Sequence, residues 1–365
     1  MRAGSFMKIR NIIVPKTMRA IVYRGVNDLR LETVPVPEIK PGELLVKVAV
    51  CGVCPTDIKK IHHGLLPPPR IFGHETAGVI AKIGRGVKKF RLGDRVAVQH
   101  HVSCMRCHFC RHHHFAQCPL YKLTGTTAGF EPAGGGYAEF VRVMAFVLPG
   151  VVQIPARNSF VEGAMLEPVN TVLKAVNRLS LRQGDSVLVI GQGPIGLMFT
   201  RLLQLRGMKV VATDMMDSRV KLARQWGATE SFKADDANLP ARLNKAAPCL
   251  DAVVVAVPSQ DAFKQALAIV RGSGKVLLFA HTRRGEMSQV DLSTVCVDEK
   301  DLLGSYSSDI TLQNEVSRLI FSRKLDMRKL VTHQFPLEQT AAAVDLASSP
   351  VGGSLKVVVN QELTT

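Results

Sequence analysis

Residues 186–214 read Ser186-Val-Leu-Val-Ile-Gly191-Gln-Gly193-Pro194-Ile195-Gly196-Leu-Met-Phe-Thr-Arg-Leu-Leu-Gln-Leu-Arg-Gly-Met-Lys-Val-Val-Ala-Thr-Asp214. A short apolar run, a glycine turn, a helical pattern over 194–206 and a second apolar run over 209–214 make a strand–helix–strand unit. The pattern G-x-G-x-x-G alone is weak, because glycines punctuate many turns. It gains meaning here because it follows a strand and opens a helix. In that setting Gly191 permits the tight turn, Gly193 lets a pyrophosphate approach the backbone, and Gly196 lets helix pack on strand. The helix start, with Pro194 and Ile195, presents unpaired N–H groups and a partial positive charge to phosphates. Asp214 closes the second strand, where a carboxylate accepts hydrogen bonds from the adenosine ribose hydroxyls and repels a 2′-phosphate. NAD is therefore expected over NADP. Arg219 reads either as a contact to the adenosine side or as an exposed helix residue.

The alternation continues towards the C-terminus, with a helix over 218–227, a strand over 251–257, a helix over 260–271 and a strand over 275–280. It predicts an α/β unit from about 171 to 306, a parallel sheet with helices on both faces. Towards the N-terminus the texture changes. Short β-branched runs over 44–50, 77–83 and 95–98, broken by Gly and Pro, predict a largely β region from about 18 to 152. Past 307 a helix is expected over 312–322 and a last strand over 355–359.

A chain of 365 residues accommodates about two domains. With 46% hydrophobic and 21% charged residues and no low-complexity tract, it buries proper cores and is not disordered. No apolar run reaches the roughly 18 residues that span a bilayer, so no membrane partner is expected. Residues 1–17 carry four basic side chains and no long apolar core, unlike a secretory signal. The expected location is the cytoplasm. The net charge of +17 comes from scattered Lys and Arg and reads as a solvated basic surface, with an acidic or phosphorylated substrate as the alternative.

Eight cysteines in a reducing compartment point to metal where they cluster. The most specific signal is Cys104-Met-Arg-Cys107-His-Phe-Cys110, with Cys118 following after seven intervening residues. Two overlapping C-x-x-C steps let a loop curl around one ion, and the fourth thiolate closes a tetrahedron. Four thiolates leave no open position, so a zinc here is expected to be structural. An iron–sulfur cluster also takes four thiolates, although nothing else in the chain suggests electron transfer. The interleaved His108, His112, His113 and His114 read as a solvated loop. Two shorter motifs remain, Gly52-Val-Cys54-Pro-Thr56-Asp57 and Gly73-His74-Glu75. A thiolate and an imidazole in glycine-containing loops can share a zinc. Cys51 and Cys54 also form a C-x-x-C step that reads as a redox pair, without thioredoxin-like surroundings.

Together with Leu166-Glu167-Pro168 and Gly353-Ser-Leu-Lys356, these motifs in this order resemble the medium-chain zinc-dependent dehydrogenases, in the sorbitol and threonine dehydrogenase-like branch. The resemblance covers 18 to about 359. It implies a GroES-like β catalytic domain over 18–168 and 309–365, a Rossmann domain over 169–308, and an extension over 1–17. It places the active site in the cleft between the two domains. It implies Cys54 and His74 as ligands of a catalytic zinc, with Glu75 or Glu167 as the carboxylate ligand. Asp57 would orient the histidine, Thr56 would take the alcohol proton, and Lys356 would lie near the cofactor pyrophosphate. A second zinc would fill the four-cysteine loop. Many relatives carry a His where this chain has Lys59, so Lys59, His62, His63 or a water chain through the ribose would carry the proton outward. The implied reaction is hydride transfer between a secondary alcohol (a polyol, cyclitol or amino alcohol) and NAD, in a homo-oligomer, tetramer or dimer. A sugar phosphate is the alternative substrate. A non-catalytic nucleotide- or nucleic-acid-binding relative is the alternative class. The retention of Cys54, Thr56, His74 and Glu167 argues against it, so a small-molecule alcohol and not nucleic acid is the expected partner.

Overall fold

The computed structural model describes residues 12–99, 101–124, 134–280, 285–351 and 353–363. They form two compact units: one runs to Glu167 and resumes at Ser317, and the other is Pro168–Val316.

The first unit begins with an antiparallel pair, β1 (Thr17–Gly25) and β2 (Asp28–Pro35). Met18, Ala20 and Val22 recur every second residue and so share one face of β1. They pack with Leu45, Ala81 and Phe140. An antiparallel sheet follows, from β3 (Leu44–Gly52), β4 (Glu75–Ile83), β5 (Arg95–Val98), β6 (Phe140–Val143) and β7 (Val151–Gln153). Its spine is β3, paired with both β4 and β6 and buried at every position but Lys47. The register sets Cys51 opposite Thr76 and Gly52 opposite Glu75. The segment leaving β3 and the segment entering β4 therefore meet at one end of the sheet.

The second unit is a six-stranded parallel sheet of β8 (Ser186–Ile190), β9 (Lys209–Asp214), β10 (Glu230–Lys233), β11 (Ala252–Val255), β12 (Lys275–Leu278) and β13 (Asp301–Gly304). Its order is β10-β9-β8-β11-β12-β13, and every pair is parallel. Val187, Leu188 and Val189 of β8 and Val253 and Val254 of β11 are fully buried, as strands covered on both faces require. The connecting helices are Pro194–Leu205, Asp217–Gln225, Leu239–Ala246 and Gln260–Ile269. This is the expected doubly wound architecture. The chain order reverses between β8 and β11, and ligands of such sheets bind at the carboxyl ends beside that switch. The strand expected over 251–257 is only four residues long and stops ahead of Pro258.

Past the helix Gln313–Phe321, β14 (Val331–Phe335) and β15 (Lys356–Asn360) return to the first sheet. β15 lies antiparallel on β3, with Val358 opposite Gly52. Residues 309–316, expected with the first unit, fall in the second. The reason is Asn170. Its side chain accepts from the Asp309 amide at 2.8 Å and donates to the Asp309 carbonyl at 3.0 Å and to Gln313 Oε1 at 3.3 Å.

Candidate metal centres and dinucleotide loop

Beyond Gly52 the chain turns through Cys54 into the helix Pro55–His63, with proline in the first turn, where its missing N–H costs nothing. Asp57, in that first turn, is wholly buried. Its carboxylate stands 3.0 Å from His74 Nδ1. That contact fixes the ring and turns its other nitrogen towards Cys54, the arrangement that orients an imidazole ligand. Gly73 makes the approach possible. It adopts φ +100°, and a Cβ there would lie 2.9 Å from the Tyr137 amide nitrogen. Cys54, His74 and Glu75 each bring one donor atom within 4.8 Å of the others. A thiolate, an imidazole and a carboxylate form a donor set that suits zinc and leaves a fourth position open.

Glu167, the other expected carboxylate, contributes no atom to that group. It is buried, with Oε1 3.1 Å from His101 Nδ1. Lys356 is buried as well. Its ammonium donates to Glu75 Oε1 at 2.7 Å and to the Val53 carbonyl at 2.8 Å, so its place is behind Glu75. Thr56 sits half-buried one residue before Asp57. Lys59 is half-buried, His63 is exposed, and His62 is bonded through Nδ1 to Asn27 in the β1–β2 turn.

The electrostatics follow from burial and partners. Burial pushes the His74 ring towards the neutral form, but the Asp57 carboxylate and Cys54 outweigh it and hold its pKa well above the ordinary value. Burial raises the Glu75 carboxyl, opposed by the Lys356 ammonium. Burial raises Glu167 too, opposed first by His74. A divalent ion reverses this logic by favouring the deprotonated ligands, so its uptake releases protons. The redox-pair reading of Cys51 and Cys54 does not survive. Cys51 lies in β3 with no exposure, and burial pushes its thiol up to about 12, leaving none of the thiolate that exchange needs.

In the four-cysteine loop, all four sulfurs lie within 4.8 Å of one another. Cys104 and Cys110 are 3.9 Å apart, and Cys107 and Cys110 3.5 Å. Zinc–sulfur bonds of about 2.3 Å place tetrahedral sulfurs about 3.8 Å apart. The spacing thus fits a single ion and is too tight for a multi-iron cluster. The Arg106 and Cys107 amides hold the Cys104 thiol down at about 6, the form a metal requires. Burial raises Cys110 to about 12. His108, His112, His113 and His114 are exposed around the loop.

At the carboxyl end of β8, Gly196 comes so close to the glycine turn that a Cβ on it would sit 1.7 Å from the Gly191 carbonyl oxygen. Asp214 accepts from the Gln192 amide at 2.6 Å and the Met216 amide at 2.9 Å, which ties it to the turn. Arg219 is not an exposed helix residue. Its side chain keeps 15% exposure and stands 3.9 Å from Asp214. A Cβ on Gly193 would lie 3.8 Å from its guanidinium. His101 and the backbone-fastening role of Asp214 were not visible in the motifs. The only signal for His101 was a histidine pair just ahead of Cys104.

A nucleotide-binding parallel sheet and a β unit carrying two zinc-competent donor sets define a zinc-dependent dehydrogenase. Residues 40–156 match the alcohol dehydrogenase GroES-like domain family, and residues 194–322 the zinc-binding dehydrogenase family. Sorbitol dehydrogenase of Bacillus subtilis is 30% identical over 354 residues, covering 95% of this chain and 98% of that protein. Sorbitol dehydrogenase of Bombyx mori is 28% identical, covering 93% and 98%. Among solved structures, a zinc-binding dehydrogenase from Sinorhizobium meliloti bound to NADP superposes with a TM-score of 0.85 at 25% identity, covering 95% of this chain and 100% of that one. An alcohol dehydrogenase from Escherichia coli complexed with NADH gives 0.84 at 25%, with the same coverage. The chain belongs to the medium-chain zinc-dependent dehydrogenases, in their sorbitol dehydrogenase-like branch.

Proposed function

We propose that the protein oxidises a secondary alcohol of the polyol class and passes the hydride to NAD, with one catalytic and one structural zinc per chain. The observation that carries this reading is the convergence of Cys54, His74 and Glu75 within 4.8 Å, with Asp57 fixed behind His74. Zinc held there supplies the Lewis acidity that lets an alcohol lose its proton near neutral pH. The chain's own residues do the rest. Cys54, His74 and Glu75 hold the ion, and Asp57 keeps the imidazole aligned. The Thr56 hydroxyl receives the proton and passes it on. Asp214, pinned by two backbone amides, presents a fixed carboxylate to the ribose and repels a 2′-phosphate. One neighbouring structure holds NADP and another NADH, so the preference for NAD rests on Asp214. The polyol class is supported by relatives named for sorbitol and by a D-xylulose reductase of Aspergillus fumigatus at 28% identity.

A homo-oligomer is supported by the sheet edge. β13 ends the parallel sheet and is largely exposed, and Leu292, Val297 and Leu302 are exposed large apolar residues close to it in sequence. An open edge with apolar surroundings suits coverage by a second copy. A cytoplasmic location fits a loop of four free thiols, which needs a reducing compartment. No helix among the described residues is long and apolar enough to cross a membrane.

The test is NADH formation by the zinc-loaded protein on a panel of sorbitol, xylitol, butanediol and inositol, with NADP in parallel. Turnover of a polyol with NAD is expected. Absence of NADH with every substrate, from protein holding two zinc ions, would overturn the reading.

A further inference from the structure

Two buried carboxylates, Glu75 and Glu167, lie near enough to His74 to feel its charge, and each already has a nitrogen partner. Lys356 holds Glu75 at 2.7 Å. His101 stands 3.1 Å from Glu167 and is itself only 7% exposed. The His101 ring is fixed edge-on to Tyr121, with centroids 5.2 Å apart, and lies 6.0 Å from the His74 ring. The two pairs differ in one respect. Glu75, paired with Lys356, still brings an oxygen into the donor group, whereas Glu167, paired with His101, does not. A buried carboxylate deprived of its partner is driven towards the nearest positive charge. Beside a bound dication, that charge is the metal.

We infer that His101 is a positioning residue that holds Glu167 off the metal. Its Nδ1–H donates to Glu167 Oε1 and keeps that carboxylate aside. Glu75 is then the third protein ligand, and the fourth position stays open to the alcohol. Without His101, Glu167 moves onto the metal and closes that position. This inference rests on the zinc reading of the Cys54–His74–Glu75 group.

Cobalt(II) replacement tests it, because the visible bands of cobalt report the number and kind of its ligands. The comparison takes the wild type, His101→Leu, His101→Gln and the double variant His101→Leu with Glu167→Gln. In His101→Leu the cobalt bands should shift, loss of the ion to a chelator should slow about tenfold, and KM for the alcohol should rise about tenfold with KM for NAD little changed. His101→Gln keeps an N–H donor within reach and should stay close to the wild type. The double variant has no mobile carboxylate and should return to the wild-type spectrum and chelator rate. A disturbed four-cysteine loop or a general loss of folding would not be repaired by Glu167→Gln. An unshifted spectrum and unchanged chelator rate in His101→Leu, or a shift that persists in the double variant, overturns the inference. A wild-type protein that takes up only one cobalt ion per chain overturns the zinc reading itself, and the inference with it.

Discussion

His74 is aimed by two neighbours with different jobs. Gly73 allows the backbone turn, and Asp57 bonds the ring. Loss of a carboxylate that orients a histidine ligand typically costs 10–100-fold in metal affinity. Asp57→Asn should therefore weaken zinc at the Cys54 group by about that factor and leave the four-cysteine loop filled. Competition with a graded chelator measures both ions separately, and two equally tight ions would reject the role of Asp57. Asp214 has a comparable double duty in the proposed reading, since the carboxylate assigned to the ribose also accepts the Gln192 and Met216 amides. Hydrogen bonds to a charged group are worth about 1.5–3 kcal/mol, or about 10–100-fold. Asp214→Gly should weaken NAD by about that much and raise the activity ratio of NADP to NAD; an unchanged ratio would remove Asp214 from the ribose. Asp57 and His74 stand in short motifs and Asp214 closes the strand after the glycine turn, so each can be singled out from the sequence. His101 cannot, because its partner Glu167 is far away in sequence and nothing local marks the pair. The same distance hid the pairing of Lys356 with Glu75.

The cysteine loop is an element with little regular structure of its own, anchored by the buried Phe115 and Ala116 and shaped around its four sulfurs. Only short helical turns, His108–Arg111 and Phe115–Gln117, lie between its cysteines. The Cys107 amide donates to Cys104 Sγ and the Cys104 amide to Cys118 Sγ, so the backbone is already arranged around the sulfurs. For such a loop the energy of metal binding is energy of folding. Cys107→Ser should reduce zinc from two ions to one and lower the melting temperature by about 5 °C or more, read by metal analysis and calorimetry. Two ions in that variant would mean that a neighbouring histidine replaces the thiolate. The strands differ in how well the sequence showed them. β5, β8 and β9 were read at their observed bounds, because apolar runs mark strands at the centre of a sheet. β10 and β13 were missed. They form the two edges of the parallel sheet, and Glu230-Ser-Phe-Lys or Asp301-Leu-Leu-Gly offers too short a run to stand out.

The first unit is assembled from two separated pieces of chain, a division that the family resemblance implies and that periodicity alone does not show. Several joints hold the pieces together, Arg19 with Glu338 and Gln361 with the Ala138 carbonyl among them, and two of them differ in kind. One is β15 on β3. The other is Glu162, which accepts from the Ser159 amide at 2.7 Å, Asn158 Nδ2 at 2.8 Å and Arg323 Nε at 3.1 Å. Arg323 also donates to the Arg157 carbonyl at 2.8 Å, and Asn158 to the Phe321 carbonyl at 3.3 Å. Burial alone would raise the Glu162 carboxyl. The Ser159 amide, Arg323 and Asn158 outweigh it and hold its pKa below the ordinary value. Glu43 follows the same rule, with burial overcome by Arg142 and the Lys40 amide. A carboxylate depressed in the folded state contributes stability that is complete above its unfolded pKa, near 4.3, and is lost as pH falls through the folded value. The first unit should therefore lose stability below about pH 4.3 through these two groups. Glu162→Gln should cost about 1–3 kcal/mol at pH 7. The variant should also show a smaller further loss between pH 5 and 3 than the wild type, because the titrating group is gone. Denaturant melts at both pH values measure the difference. Equal losses on acidification in the two proteins would show that Glu162 is not a charged joint between the pieces.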